Sequence, residues 1–388
     1  MRVVQVDLLC SSPFYVGGVA VALRDAGADV ELASPRFYLE PDAMDGYPRA
    51  PWIVDLVVHA SRPRPVRLAI RAVELLANTL RLAVRVARGR YDVVHVQWIP
   101  LEHRSTVFMR LLRAACDRSG TLLVLTVHNV MPHEAGGANR AVFRRNLDRA
   151  HLILTLTDHV ATELGPEIGT RTPIETTPLG PMFIDRALPP RAEAAARLGR
   201  TIAPTVLFLG LMRAYKGVDV LADAWPEVRA AVPDARLLVV GKVFDAAIRP
   251  DLDRLRAQPG VTIVEGYVSV AQMLDSYAVA DLVVFPYHQI SQSAGLMTAA
   301  GLGRPVVITP VEGLLEQARR LTSAVVADEV SGPAIARALI GALDRTDEIL
   351  AAAERDRLAI LDSPFGSSAV ARATLDAYAT HRRRPGST

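Results

Sequence analysis

The sequence of 388 residues predicts an α/β protein built as two doubly wound halves. Three observations carry that expectation. Short runs of Val, Leu and Ile alternate with longer alanine- and arginine-rich stretches, as expected of parallel strands covered on both faces by helices. The alternation breaks over residues 185–204, which hold paired prolines and no apolar run, and then starts again. The chain also exceeds the size at which single cores stop growing, and 50% of it is apolar, enough for two cores.

In the first half RVVQVDLL, ADVELAS, YDVVHVQW, TLLVLTVHN and HLILTLT read as strands, with GGVAVALRDAG as the first helix between them. Residues 63–90 read as a long helix. At helical spacing Arg67, Arg71, Arg81, Arg85 and Arg88 share a stripe opposite Val66, Ile70, Val73, Leu80 and Val84. Two readings fit: a solvated arginine face with the apolar side packed on the sheet, or a basic amphipathic surface touching anionic lipid. After the break TVLFLGL, ARLLVVG, VTIVEG, DLVVFPY and RPVVITP repeat the strand pattern. The expected limits are a first domain over 1–185, a linker over 186–204, a second domain over 205–364, and a closing helix with its tail over 365–388. Sheets of this kind bind ligands outside the carboxyl ends of their strands, so function is sought in the loops that follow them.

Composition removes several classes. A net charge of +3 with a pI near 9.0 reflects scattered arginine rather than a basic block, so no nucleic-acid partner is expected. Cys10 and Cys116 are the only cysteines, which excludes a disulfide scaffold or a cysteine zinc site and suits a reducing compartment. The first ten residues read as a buried strand rather than a secretory leader, and no uncharged apolar run reaches roughly 18 residues. The expectation is a soluble, cytoplasmic protein.

Of the 44 lysines and arginines only Lys216 and Lys242 are lysine. A lysine that survives such a bias points to a place for a compact point charge rather than a planar fork, with chance placement of two residues as the alternative. In FLGLMRAYKG a strand ends at Gly210, and the loop after it carries Arg213 and Lys216, two cations able to converge on one pyrophosphate without a metal ion. A second loop, SQSAG, runs through Ser291, Gln292, Ser293, Ala294 and Gly295 into a helix. Its small side chains let backbone N–H groups approach an oxyanion, although plain capping by the serines is the alternative. In LTVHNVMPHE, His128 closes a strand, and Pro132 prevents His133 and Glu134 from joining it on a zinc-binding helix. No metal is expected. In DVVHVQW, His95 and Gln97 end another strand and serve either as an acceptor wall or as packing; His133 and Glu134 complete the candidate acceptor side.

Taken together the stretches FLGLMRAYKGVDVLADAW, ARLLVVGK, VEGYVSVAQMLDSYAVADLVVFPY and GLGRPVVITPVEGLLE resemble, in order, the motifs of GT-B glycosyltransferases similar to family 4, the retaining group that uses nucleotide sugars. DSPFGSSAVARATLDAYAT resembles that family's closing helix, which crosses back onto the first domain. The resemblance implies that Arg213 and Lys216 hold the donor pyrophosphate, that amides of Gln292, Ser293 and Ala294 cap the distal phosphate, and that His128 faces the donor sugar. Many members carry a pair of glutamates before the Gly-x-Pro-Val-Val run. Ile290 and Thr298 stand there instead, so the stretch looks like a Ser-Gln-Ser variant in which Gln292 would touch the sugar and Thr298 the ribose.

The implied reaction moves a sugar from a UDP- or GDP-linked donor to a hydroxyl of a lipid-linked or small-molecule acceptor, with retention and without cofactor or metal. The leaving phosphate would take the acceptor's proton, which agrees with the absence of a paired-carboxylate signature. Peripheral contact with the inner face of a membrane would run through residues 63–90. Two competing readings are a non-catalytic nucleotide-sugar-binding partner, suggested by the missing glutamates, and an NAD(P)-dependent oxidoreductase. Against the latter, no strand leads into G-x-G-x-x-G.

Overall fold

The computed structural model describes residues 1–56, 63–128, 137–168, 172–183, 186–290 and 292–382. The chain divides into two compact units, Met1–Leu179 with Gly366–Thr388, and Gly180–Phe365.

The first unit runs β1 (Arg2–Val6), α1 (Pro13–Asp25), β2 (Asp29–Ala33), α2 (Arg64–Ala87), β3 (Val93–Val96), α3 (Val107–Ser119), β4 (Leu122–Val127), α4 (Gly137–Leu147), β5 (Leu152–Thr155), α5 (Asp158–Ile168) and β6 (Ile174–Thr176). Its sheet is wholly parallel in the order β2-β1-β3-β4-β5-β6. Successive side chains point to opposite faces, so Val3, Val93 and Val124 join one core while Val4, Val94 and Leu125 join the other. Burial on both faces is why these strands read as unbroken apolar runs.

The second unit continues with α6 (Arg191–Arg197), β7 (Thr205–Leu209), α7 (Val218–Ala231), β8 (Arg236–Gly241), α8 (Arg249–Arg256), β9 (Val261–Glu265), α9 (Val270–Val279), β10 (Leu282–Phe285), α10 (Ala294–Gly301), β11 (Val306–Ile308), α11 (Glu312–Ala318), β12 (Ala324–Val326), α12 (Gly332–Leu343) and α13 (Thr346–Leu361). Read as β9-β8-β7-β10-β11-β12, its parallel sheet has the 3-2-1-4-5-6 order of a nucleotide-binding fold. The last helix, α14 (Ser367–His381), returns to the first unit and packs on α1. There Tyr378, fully buried, enters the core.

Both sheets contain a point where the chain reverses its direction of winding, between β1 and β3 in one and between β7 and β10 in the other. Loops leaving the carboxyl ends of such strand pairs diverge and leave room for ligand. Of the residues singled out from sequence, Gln97, His128, Gly210, Arg213 and Lys216 lie just after the strands β3, β4 and β7.

Two expectations are corrected. Residues 186–204 are not a bare linker: they carry α6, whose Ala194 and Ala195 are buried in the second unit's core. Arg191 pairs in bidentate fashion with Asp281 at 2.5 and 2.7 Å, and Arg197 with Asp275 at 2.6 and 2.9 Å. The long helix α2 is also turned over. Glu74, Asn78, Leu82 and Val86 face inward, whereas Val73, Leu76 and Leu80 are 60%, 62% and 50% exposed. The arginines explain the inversion: Arg71 and Arg85 lie over the rings of Tyr38 and Trp52, and Asn78 bonds both the amide and the carbonyl of Val54.

If α6 is an integral part of the second unit, Arg191→Ala strands the nearly buried Asp281 carboxylate. The expected loss is about 3 kcal/mol, read as a lower urea midpoint. A loss under about 0.5 kcal/mol, as for an ordinary surface substitution, would return α6 to the status of a linker.

Candidate functional site

In the second unit the loop after β7 is fixed on both sides. Met212 bridges to Val243, its amide donating 2.8 Å to the Lys242 carbonyl and its carbonyl accepting the Phe244 amide at 2.9 Å. The Asp245 carboxylate accepts the Ala214 amide at 2.9 Å. On the β10 side the His288 amide donates 2.8 Å to the Tyr215 carbonyl, and its imidazole meets Asp219 at 2.9 Å. Gly217, at φ +70, lies so close to Pro286 that a Cβ would stand 1.8 Å from the Pro286 oxygen. A side chain there would force the two loops apart.

This frame sets the two cations. Arg213 lies 3.8 Å above the ring of Phe244, and Lys216 Nζ is 5.3 Å from the centre of Tyr287. Lys216 Nζ also sits 3.1 Å from the position a Cβ on Gly210 would take, so that glycine makes room for it. Burial, and then the Arg213 charge, hold the Lys216 ammonium below the usual lysine range. Among the described residues no carboxylate pairs with either cation. Two neighbouring half-buried positive charges with no carboxylate partner among the described residues form a site for an anion. Phe244 and Tyr287 were missed from sequence; their signal was an aromatic residue on each of the loops flanking Lys216.

The second loop gives a mixed result. Ser291 lies outside the described residues. Gln292 is half-buried at the start of the turn. Ser293 caps α10 through Leu296 N at 3.2 Å, and its own amide donates 2.7 Å to the Gln317 side chain of α11. That amide is therefore engaged by the protein, a correction to its expected place on phosphate. The Ala294 and Gly295 amides open α10 with no acceptor among the described residues, as the first turn of a helix dictates. Thr298 is also corrected: it is 1% exposed, and its hydroxyl donates 2.7 Å to the Ala294 carbonyl within the helix, so it does not present itself to a ribose.

In the first unit His128 follows β4 and stacks on Trp98, centroids 4.2 Å apart and planes 5° from parallel, with Tyr15 edge-on at 5.4 Å. His95 is not on an acceptor wall. It is 2% exposed, and its Nδ1 meets Tyr378 Oη at 2.6 Å and Gln5 Nε2 at 3.0 Å, while Nε2 meets Thr126 Oγ1 at 2.6 Å. Gln97, equally buried, donates 2.8 Å to Gln5 Oε1. The polar residues of β3 thus build an interior network that fastens α14 to the sheet. His133 and Glu134 lie outside the described residues. Asp7 also escaped the sequence reading: fully buried after β1, it accepts the Ser12 amide at 3.1 Å and shapes the turn into α1. Among the described residues no cluster of three or more His, Cys, Asp or Glu is placed to hold a metal ion.

Comparison with known proteins agrees with this architecture. Residues 203–345 match the family model "Glycosyl transferases group 1", and residues 13–180 match "Glycosyl transferase 4-like domain". A D-inositol 3-phosphate glycosyltransferase 2 of Catenulispora acidiphila is 30% identical over 333 residues, covering 78% of this chain and 74% of that protein. A GDP-mannose:glycolipid 4-beta-D-mannosyltransferase of Xanthomonas campestris is 30% identical over 233 residues, covering 56% of this chain. The chain spans 61% and 66% of the length of the two such mannosyltransferase sequences from that species. Anabaena Alr3699/HepE, solved in complex with UDP-glucose, superposes with a TM-score of 0.71 over 98% of this chain and 100% of its own, at 14% identity. The chain belongs to the group 1 glycosyltransferase family, and its two parallel-sheet units have the GT-B fold.

The buried histidines make stability pH-dependent in a stated direction. Burial lowers His128 to about 4 and His95 to about 3, from an ordinary 6.5. Between pH 6.5 and 4 the unfolded chain therefore binds more protons than the folded one, and stability falls as pH falls through that window. Urea midpoints should drop on going from pH 7 to 4.5, and less steeply in His95→Gln. Equal slopes would show that His95 is not held neutral.

Proposed function

We propose that the protein transfers a hexose from a UDP- or GDP-linked donor to an acceptor hydroxyl, with retention, and that no metal ion takes part. The observation that carries this reading is the pair Arg213 and Lys216, cations with no carboxylate partner among the described residues, on the loop that leaves β7 at the winding reversal between β7 and β10. Fixed donors aimed at the charge that builds on a departing phosphate are the largest single source of rate in such reactions. Arg213, Lys216 and the Ala294 and Gly295 amides bind the diphosphate, and Gln292 stands beside the sugar. The C1–phosphate bond breaks as the acceptor oxygen bonds C1 on the same face, and the leaving phosphate oxygen takes the acceptor's proton. The relatives' names support the donor class, GDP-mannose in one and UDP-glucose in the solved neighbour.

The acceptor is lipid-linked or a small polyol, as the relatives' names suggest. The exposed apolar face of α2, bordered by Arg81 and Arg88, suits peripheral contact with anionic lipid at the inner face of a membrane. No described helix is long and apolar enough to cross one. Anionic vesicles should co-sediment the wild type, and Leu76→Glu with Leu80→Glu should abolish this. Equal sedimentation of the double variant would refute the contact.

A second reading, a donor-binding partner without activity, draws on Ile290 and Thr298 in the place of the family's glutamates. The two separate in one assay. With UDP, GDP, ADP and NAD in thermal-shift measurements, one nucleoside diphosphate should raise the midpoint, by roughly 2.7 kcal/mol of stability at 100 times its dissociation constant. With the matching donor, Lys216→Ala should lower turnover on the order of 10²–10³-fold. A shift without nucleotide release, with or without acceptor, would favour the binding partner; no shift with any diphosphate would end both readings. Turnover lost to EDTA, or a product of inverted configuration by NMR, would refute the metal-free and retaining parts.

A further inference from the structure

We propose that Phe244 and Tyr287 are positioning residues, whose rings hold Arg213 and Lys216 in place for the donor's diphosphate while leaving their N–H groups to that anion. The proposal rests on the glycosyltransferase reading above and deepens it by assigning the two residues that set its cations.

The backbone brackets each cation in the same way. Arg213 stands between Met212, whose carbonyl accepts the Phe244 amide at 2.9 Å, and Ala214, whose amide donates 2.9 Å to the Asp245 carboxylate. Lys216 stands between Tyr215, whose carbonyl accepts the His288 amide at 2.8 Å, and Gly217, which lies against the Pro286 oxygen. The residues on both sides of each cation are thus tied to one facing loop, and that loop carries an aromatic ring aimed at the cation. Arg213 Cζ is 3.8 Å from the centre of the Phe244 ring, and Lys216 Nζ is 5.3 Å from that of Tyr287. Both lie within the roughly 6 Å over which the negative face of a ring attracts a positive charge.

The two rings are fixed by different means. Tyr287 is buried; its carbonyl accepts the Thr309 hydroxyl at 2.6 Å, and Phe285 and Tyr215 stand edge-to-face with its ring, centroids 5.7 and 6.1 Å away. Burial raises its phenol above the usual range, so Tyr287 stays neutral and acts on Lys216 through the ring face. Phe244 is 56% exposed and is not part of the second unit's core. Core packing therefore does not account for its place, whereas the guanidinium of Arg213 covers its face.

A ring suits this task better than a carboxylate. A carboxylate beside either cation would take up its N–H groups and cancel its charge, and an arriving phosphate would have to displace it. An aromatic face attracts the charge and leaves those donors available. For Lys216 the ring also opposes a cost. Burial is the main cause that lowers its ammonium below the usual range; Tyr215 counters this and the Arg213 charge adds to it. A ring face beside Nζ favours the charged form that a diphosphate requires.

The test uses the full chain, whose only two lysines make Lys216 directly visible. After isotope-labelled reductive methylation, NMR follows the Lys216 methyl signal, with the exposed Lys242 as reference. In the wild type the ring current of Tyr287 should place the Lys216 signal upfield of that of Lys242. Tyr287→Phe should keep that displacement and the pH at which Lys216 titrates. Tyr287→Leu should abolish the displacement and lower the titration by roughly half a pH unit, with Lys242 unmoved. In unmodified protein, calorimetry follows the nucleoside diphosphate that shifts the melting midpoint. Phe244→Leu and Tyr287→Leu should each weaken its binding about two- to fivefold, and Phe244→Tyr and Tyr287→Phe should restore it. The nucleoside alone, which has no phosphate, should bind every variant alike, whereas a general loosening of the loops would weaken it too. Coincident lysine signals in the wild type, an unmoved titration in Tyr287→Leu, or undiminished diphosphate binding in Phe244→Leu would overturn the proposal. The first and last of these decide it even where Tyr287→Leu fails to fold. A displaced Lys216 signal in a wild type that binds no diphosphate refutes the glycosyltransferase reading instead, and leaves the hold of the ring on Lys216 standing.

Discussion

The carbonyl oxygen of Pro286 occupies the space in which a side chain at residue 217 would begin, and much of the second unit's chemistry follows from that contact. It presses the loop after β7 against the loop after β10, at the one place in the sheet where neighbouring strands send their connections in opposite directions. The same device recurs one strand over: a Cβ on Gly241, at φ +144, would stand 1.9 Å from the Gly210 oxygen. Two backbone-on-backbone contacts of this kind bring three strand ends together more closely than side chains would permit. Lys216 is the residue immediately before the first contact. Its ammonium ends over Tyr287, beside Gly210, in a position that loop flexibility alone would not hold.

The first unit solves its organisation differently. Its strand ends are joined by side chains rather than by bare backbone, through Gln5, His95, Gln97, Thr126 and Tyr378. Such a network stabilises only while its members keep their partners, and the low dielectric that strengthens each bond makes a lost one costly. Burial holds His95 in the uncharged form, so this network carries hydrogen-bonding specificity without charge. The Trp98–His128 stack lies just past the ends of β3 and β4.

Among the described residues, ten of the twelve strands were legible in the sequence because burial on both faces writes them as plain apolar runs. The two that were not, Ile174–Thr176 and Ala324–Val326, are three-residue strands at sheet edges with half-exposed side chains, where the apolar signal fades. Lys216 drew attention because an arginine-rich composition makes a lysine conspicuous. Ser293 and Thr298 were named but misplaced: pattern locates a residue in a loop or helix and says nothing of a neighbour such as Gln317, twenty-four positions away, that has already taken its amide. The α2 helix misled for a related reason. Its periodicity is real, but which stripe faces inward was settled by Tyr38, Trp52 and Val54, residues outside the helix, and by the preference of guanidinium groups for aromatic faces.

The path of the chain through the two units has a consequence for how the protein is made. The second unit lies, in sequence, between Leu179 and Gly366 of the first. Tyr378 reaches His95 across 283 positions, and α14 supplies part of the core behind β1 and β3. During synthesis the first unit emerges with its sheet but without its last helix, leaving the surface that Tyr378 will cover exposed while the whole of the second unit is translated. The second unit, continuous in sequence, can close as soon as it is out. The half of the protein that is begun first is therefore the half that is finished last, and its apolar surface is the stretch most in need of protection while it waits.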